Sequence, residues 1–280
     1  VGKSTLINRL VGEKVAIVSP VPQTTRTRVV GIVHRSDAEL IFIDTPGLHK
    51  PRHLLNETMM RAARGALDDA DIACLLIDAT AGWRAGDRAA LEFVQAARLP
   101  VVLVINKVDR VKKPSLLPMI DECSRAGDFR EIIPLSAQCD DGFEPLLRAL
   151  SAHLPVGEAR YPKDEYTDQV VRTLAAEWIR EAILLRTRDE VPHAVAVRIE
   201  EFTEDTDAKL IRIRAQVVVE KASQKAIVIG ARGSMMKQVG EQARLELERL
   251  LGSRVYLGLW VTVEPEWRQD ARHLSELGYT

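Results

Sequence analysis

Short apolar runs, each closed by polar residues, recur along the first half of the chain. Residues 29–34, 40–43, 72–77, 101–105 and 132–135 read as strands. Stretches of helical period lie between and around them, at 5–11, 54–66, 87–97, 114–125 and 143–153. Alternation of this kind predicts an α/β fold, a doubly wound and mostly parallel sheet with working loops at the carboxyl ends of its strands. Residues 155–167, with Pro155, Pro162 and many charges, read as a linker. The rhythm then changes. A helix at 168–185 precedes strands at 194–201 and 210–220, a helical piece at 223–228, a long helix at 234–251 and a last strand at 254–263. Within the second of these strands Ile211-Arg212-Ile213-Arg214 alternate strictly, so one face is apolar and the other basic. The expected organisation is an α/β domain at 1–154, a linker at 155–167 and an α+β domain with a C-terminal tail at 168–280.

Composition adds little but removes some classes. The 280 residues suit two domains, and 46% hydrophobic with 28% charged residues is ordinary for a packed globular chain. A net charge of −1 gives no global attraction to nucleic acid, so any such site must be a local basic patch. Three cysteines, Cys74, Cys123 and Cys139, lack CxxC spacing and argue against a disulfide framework or a zinc site. They fit a reducing, cytoplasmic setting. No apolar run approaches the roughly 18 residues that span a bilayer.

Chemistry is concentrated where the strands end. Gly2-Lys3-Ser4-Thr5, with Val1 before it, matches the second half of a phosphate-binding loop. Gly2 lets backbone approach phosphates, Lys3 reaches the β- and γ-phosphates, Ser4 offers a hydroxyl to Mg²⁺, and the helix behind points its positive end at the anion. Because Val1 falls inside that loop, the chain reads as incomplete, without the first strand of the sheet and half of the loop. Asp44-Thr45-Pro46-Gly47 closes the second strand; Asp44 there can hold Mg²⁺ through a water, and the Gly47 amide can sense a γ-phosphate. Asn106-Lys107-Val108-Asp109 closes the fourth. Asp109 can accept from the ring N–H and the exocyclic amine of guanine, and adenine lacks that amine, so the carboxylate discriminates. Asn106 would tie loops around the base and the stem of Lys107 would cover it. Ser136-Ala137, after the fifth strand, would offer backbone N–H to guanine O6.

These motifs in this order resemble the TrmE–Era–EngA group of GTPases, with a P-loop NTPase fold. Pro22-Gln23-Thr24-Thr25-Arg26 matches that group's first switch, and the resemblance implies that Thr25, rather than Thr24, meets Mg²⁺ and the γ-phosphate. The resemblance thus implies GTP and GDP binding by Gly2, Lys3, Ser4, Thr5, Asp44, Thr45, Pro46, Gly47, Leu48, Asn106, Lys107, Val108, Asp109, Ser136 and Ala137. Mg²⁺ would fall to Ser4, Thr25 and Asp44, and catalysis to Lys3, Thr25, Asp44 and Gly47. Leu48 stands where Ras-like proteins carry a water-orienting Gln. Another group, a partner or a monovalent cation such as K⁺ must then place the water; His49, beside it, reads as a surface residue rather than a base.

In the second half, Ile229-Gly230-Ala231-Arg232-Gly233 sets a GxxG turn between two helices, and the element order resembles a type II KH domain. Such a loop clamps about four nucleotides of single strand. Lys225, Ile229, Gly230, Ala231, Arg232, Gly233 and Lys237 are the candidate RNA-binding residues, Ile227 and Val228 would add to an aliphatic groove, and Arg212 and Arg214 would extend the basic strip. Packing explains Trp83, Trp178 and Trp260, whereas Trp267, past the last strand, could flank RNA. One GTPase domain followed by a KH domain resembles the Era subfamily. That resemblance implies a monomer that binds 16S ribosomal RNA near its 3′ end and assists 30S subunit assembly. It also implies peripheral association with the inner membrane, for which no amphipathic anchor is visible. The competing reading is an RNA-binding scaffold with a degenerate, non-hydrolysing GTPase half. An EngA-like protein is disfavoured by the lone NKVD and the intact GxxG.

Overall fold

A computed structural model describes residues 1–47, 53–139, 141–205 and 209–279. Leu48 and His49 lie outside the described residues. The chain divides into two compact units.

The first unit holds Val1–Ala16, the hairpin that follows Thr27, and Arg61–Asp168. Helix α1 (Lys3–Val11) precedes strands β1 (Val29–His34) and β2 (Glu39–Asp44), which pair antiparallel. Helix α2 (Leu54–Asp68) leads to β3 (Ala73–Asp78), α3 (Ala85–Gln95), β4 (Val101–Asn106), α4 (Leu116–Ala126), β5 (Glu131–Pro134) and α5 (Phe143–Ser151). Strands β3, β4 and β5 are parallel, with β4 in the middle and every one of its residues buried. A strand covered on both faces and both edges has no solvent side, which explains the unbroken apolar run. The expected single sheet is thus a three-stranded parallel sheet and a separate hairpin. Leu6, Leu40, Val102, Val104 and Leu146 join both in one apolar cluster.

Residues 155–167, expected as a linker, are tied to the hairpin. Glu39 accepts from the amides of Arg160 and Tyr161, Ile32 N donates to the Tyr166 carbonyl, and the Thr167 hydroxyl donates to the Val30 carbonyl. An edge strand with open N–H and C=O groups recruits a neighbouring segment in this way.

The second unit holds Gln169–Thr280, and with it Ile17–Thr27 and the first part of α2 up to Met60. Its elements are α6 (Val171–Leu184), α7 (Val191–Ala194), β6 (Ala196–Asp205), β7 (Leu210–Val219), α8 (Ala222–Ile229), α9 (Ser234–Leu251), β8 (Arg254–Val263) and α10 (Ala271–Glu276). The sheet runs β6-β7-β8, antiparallel then parallel. Helices α6, α8 and α9 cover one face through Ile211, Ile213, Val217, Val228, Val239 and Leu247. Val228 therefore belongs to the core and does not line a groove. Arg212 and Arg214 point to the opposite face and do not extend the strip around GxxG. Trp267 is fully buried, donates from Nε1 to the Ala194 carbonyl at 2.9 Å and stacks on Tyr279. It is core, not a flank for RNA.

Candidate functional site: strand-end loops and a glycine clamp

Gly2 opens the nucleotide-facing end of the first unit. Its φ of 97° lies in the left-handed region, and an added Cβ would stand 2.7 Å from Asn106 Nδ2. Only glycine satisfies both conditions. The backbone then turns directly into α1, whose first N–H groups have no carbonyl behind them and face outward. Lys3, Ser4 and Thr5 form that first turn. Ser4 Oγ donates to Asp44 Oδ2 at 2.6 Å, and Asp44 is 1% exposed. A hydroxyl and a carboxylate meeting at the head of α1 are hard oxygen donors, the kind that Mg²⁺ takes, so the residues fit that ion. Thr45, Pro46 and Gly47 follow Asp44 out of β2.

Asn106 joins three loops. Its Nδ2 donates to the Val1 carbonyl at 2.9 Å, and its Oδ1 accepts from Lys107 N at 2.7 Å and Ala137 N at 3.0 Å. The side chain is 2% exposed, so each bond holds without competition from water. Lys107 is left-handed at φ 68° and starts a tight turn, Val108–Arg110, that sets Asp109. Asp109 Oδ1 accepts from Ser136 Oγ at 2.6 Å, and the side chain keeps about a quarter of its surface open. Ser136 N donates to the Asp141 carbonyl. The amides of Ser136 and Ala137, read as donors to guanine O6, are thus both engaged within the chain.

Asp78 is the site residue that the motifs did not announce. It ends β3 and pairs in register with Asn106 on β4. Its carboxylate binds Lys107 Nζ at 2.5 Å and also accepts from the amide and hydroxyl of Thr80. Burial alone would push this carboxyl up; the hydrogen bonds from Lys107 and Thr80 outweigh it and hold it below its ordinary value. The pair fixes the lysine stem expected to cover the base. A carboxyl depressed in this way contributes fully above its unfolded value of about 3.9 and loses that contribution as pH falls through the lower folded value. Asp78→Asn at pH 7 is expected to weaken GDP binding about fivefold, the scale of a partly exposed ion pair. A fluorescent GDP analogue measures it, and unchanged affinity would mean that Lys107 is held by other means.

The first-switch segment belongs by its packing to the second unit. Thr24 Oγ1 donates to the Val21 carbonyl and bonds Ser19 Oγ at 2.7 Å, so this hydroxyl is spent within its own turn. Thr25 is 7% exposed. Val18 N donates to Glu181 of α6, and Arg180 of the same helix donates to the Thr24 carbonyl. Arg26 is buried. Its guanidinium donates to the carbonyls of Val195, Pro192 and His193 at 2.7, 3.1 and 3.1 Å, and lies 5.8 Å from the ring centroids of both Trp267 and Tyr279. Burial pulls its pKa down from the ordinary arginine value, and Tyr279 opposes that.

In the second unit the GxxG turn has the expected form. Gly230, at φ 72°, leaves no room for a side chain: a Cβ would stand 2.7 Å from Met235 Cβ and 2.9 Å from its amide. Gly233 caps α9 in the left-handed region with open space around it, and Arg232, also left-handed, is exposed at the tip beside Ala231. Lys237 is exposed on the first turns of α9, Lys225 is half-buried on α8, and Ile229 packs partly into the core.

The fold and these two loop systems define a P-loop GTPase joined to a KH domain. Two family models agree, "50S ribosome-binding GTPase" over residues 1–107 and "KH domain" over 190–268. GTPase Era of Lacticaseibacillus paracasei is 44% identical over 279 residues, covering 100% of this chain and 93% of the relative. A crystal structure of Era in complex with MgGDPNP and nucleotides 1506–1542 of 16S ribosomal RNA matches with a TM-score of 0.97 at 39% identity, over 100% of this chain and 95% of that one. Aquifex aeolicus Era bound to GDP·AlF4⁻ matches with a TM-score of 0.96, also at 39% identity and the same coverage. The chain belongs to the Era family of GTPases.

Proposed function

We propose that the chain binds GTP with Mg²⁺, hydrolyses it to GDP and phosphate, and binds 16S ribosomal RNA near its 3′ end through the KH domain. The bonding of Asn106 carries the nucleotide half of this reading. One buried amide holds the phosphate loop, the NKVD turn and the Ser136-Ala137 loop together, and Asp109 projects from that knot as an acceptor for guanine. Bound Mg²⁺ would supply positive charge against the β- and γ-phosphates; Ser4 would hold it directly, Asp44 through a water, and Thr25 would join from the first switch. Lys3 and the first-turn amides of α1 bind phosphate oxygens, and the Gly47 amide reports the γ-phosphate. Assistance to 30S subunit assembly follows from the family and the rRNA target. No helix among the described residues is long and apolar enough to cross a membrane. A cytoplasmic place is our reading of the cysteine usage. Dependence of hydrolysis on K⁺, read by exchange for Na⁺, is a separate expectation.

The RNA half is tested at the clamp. Ala231 and Arg232 are exposed and neither supports the core, so replacing both with Asp places two negative charges where a phosphate must pass. Binding of single-stranded RNA is expected to fall by at least a hundredfold by fluorescence anisotropy, with GDP affinity unchanged. Equal RNA affinity in the variant would remove the clamp assignment.

A further inference from the structure

The three-stranded sheet of the second unit is covered on one face and only half covered on the other. On the second face Trp267, Leu274 and Tyr279 pack over the end that carries Ala196 and Val218. Toward the other end β7 presents Arg212 and Arg214, and β8 presents Arg254, Tyr256, Gly258 and Trp260, by their register and the alternation of a strand. Tyr256 is 56% exposed. The Arg212 guanidinium lies over its ring at 6.0 Å, and that of Arg214 lies over Trp260 at 5.4 Å. Gly258 separates the two aromatics. A Cβ there would make only ordinary contacts, 3.6 Å to Arg214 Cγ and 3.8 Å to Tyr256 Cε1, so the space above the strand is open.

We propose that this open half-face is a second RNA contact, a stacking platform for unpaired bases of a strand held by the GxxG clamp. The proposal rests on the RNA reading above and extends it. Aromatic rings and guanidinium planes both stack on bases without regard to sequence, because every base has a π-face. Tyr256 and Trp260 stand about 13 Å apart along the strand, with the glycine slot between them, so more than one base fits. Charge favours the same occupant. Arg212, Arg214 and Arg254 lie on β7 and β8, whereas Glu201 and Asp205 lie on β6, and Glu264 and Glu276, at the covered end of this face, are paired with Arg198. Glu201 reaches Arg214 only at 3.8 Å, with both side chains largely exposed. The clamp lies on the opposite face but near the same edge: α8, which ends in Gly230, packs against β8. A strand leaving the clamp can pass around the β8 edge onto the platform.

The test compares unstructured RNAs of about four nucleotides, enough for the clamp, and about twelve, within the range for groove-and-stack sites. The full chain is expected to bind the longer RNA at least tenfold more tightly. The longer RNA alone should quench tryptophan emission, and that quench should vanish in Trp260→Phe, because Trp178 and Trp267 are buried and Trp83 belongs to the first unit. Arg212→Gln with Arg214→Gln should erase the advantage of length, lower the salt slope by about 1.4 at roughly 0.7 per cation, and leave the short RNA unaffected. Gly258→Val, which fills the slot with a strand-favouring residue and removes no charge, should also erase the advantage of length. The platform is overturned if both sets of substitutions leave the longer RNA bound as before, or if the quench persists in Trp260→Phe. Equal competition by a fully paired hairpin of the same length would overturn it too. Failure of the unsubstituted chain to bind the short RNA would instead overturn the clamp, and the platform with it.

Discussion

Asp109→Asn should lower affinity for GDP and GTP by two orders of magnitude or more and raise affinity for xanthine nucleotides. The Asp109 carboxylate is acceptor-only, and guanine presents two donors to it, the ring N–H and the exocyclic amine. An asparagine keeps one acceptor and puts an NH₂ group opposite the amine, so donor faces donor. Xanthine carries a carbonyl at that position, which the new NH₂ can meet. A site built around a specific hydrogen bond rejects a partner that lacks it by about 10⁴-fold, because buried polar groups are left without partners. The expected loss is smaller because Asp109 retains about a quarter of its side-chain surface in solvent. Ser136 Oγ can still donate to the remaining carbonyl oxygen, so the turn itself should survive. Competition of GDP, ADP and xanthosine diphosphate against a fluorescent GDP analogue reads the result. Unaltered discrimination between guanine and xanthine would show that Asp109 does not touch the base.

What was legible in the sequence was whatever depends on near neighbours. GKST, DTPG, NKVD and the Ser136-Ala137 pair each end or begin one element, and each is a strand-to-turn or turn-to-helix transition whose residue types are fixed locally. GxxG is legible for the same reason: two left-handed glycines between two helices leave few alternatives. Asp78 was not legible, because its meaning comes from a lysine 29 residues away across a parallel pair. The basic face of β7 was read correctly as a face but placed on the wrong side of the sheet. Alternation separates two faces and does not say which one the glycine loop shares. Trp267 lies past the last strand, and its position alone suggests a flank for RNA. The buried partners that contradict this, Ala194 and the stretch from Leu55 to Met59, lie far away in sequence. A short-range signal for the tail was nevertheless present: Asp270 caps α10 by accepting from the amides of Arg272 and His273.

Arg26→Ala should destabilise the second unit by about 3–5 kcal/mol, the cost of breaking a buried charged network from one side. Three carbonyls, those of Pro192, His193 and Val195, would lose a charged donor, and the stacked pair Trp267–Tyr279 would face a void. The melting temperature should fall by about 10 °C or more, at roughly 2–4 °C per kcal/mol for units of this size. The consequence for catalysis differs from that for binding. Arg26 is bonded directly to Thr25, and Arg180 holds the Thr24 carbonyl on the other side, so the threonine proposed to meet Mg²⁺ is flanked by two anchors within the second unit. Releasing one anchor returns ordering entropy to the switch, at about 1–2 kcal/mol per residue freed, which GTP must then supply. On that assignment GDP, which has no γ-phosphate, makes no use of Thr25. Hydrolysis and affinity for a non-hydrolysable GTP analogue should therefore fall about tenfold below the melting point, with GDP affinity retained. Arg26→Lys, which keeps a charge and one or two of the three carbonyl bonds, should recover part of the stability and part of the selectivity for GTP. A variant that melts early yet hydrolyses GTP normally would separate the two roles and leave Arg26 as a purely structural arginine.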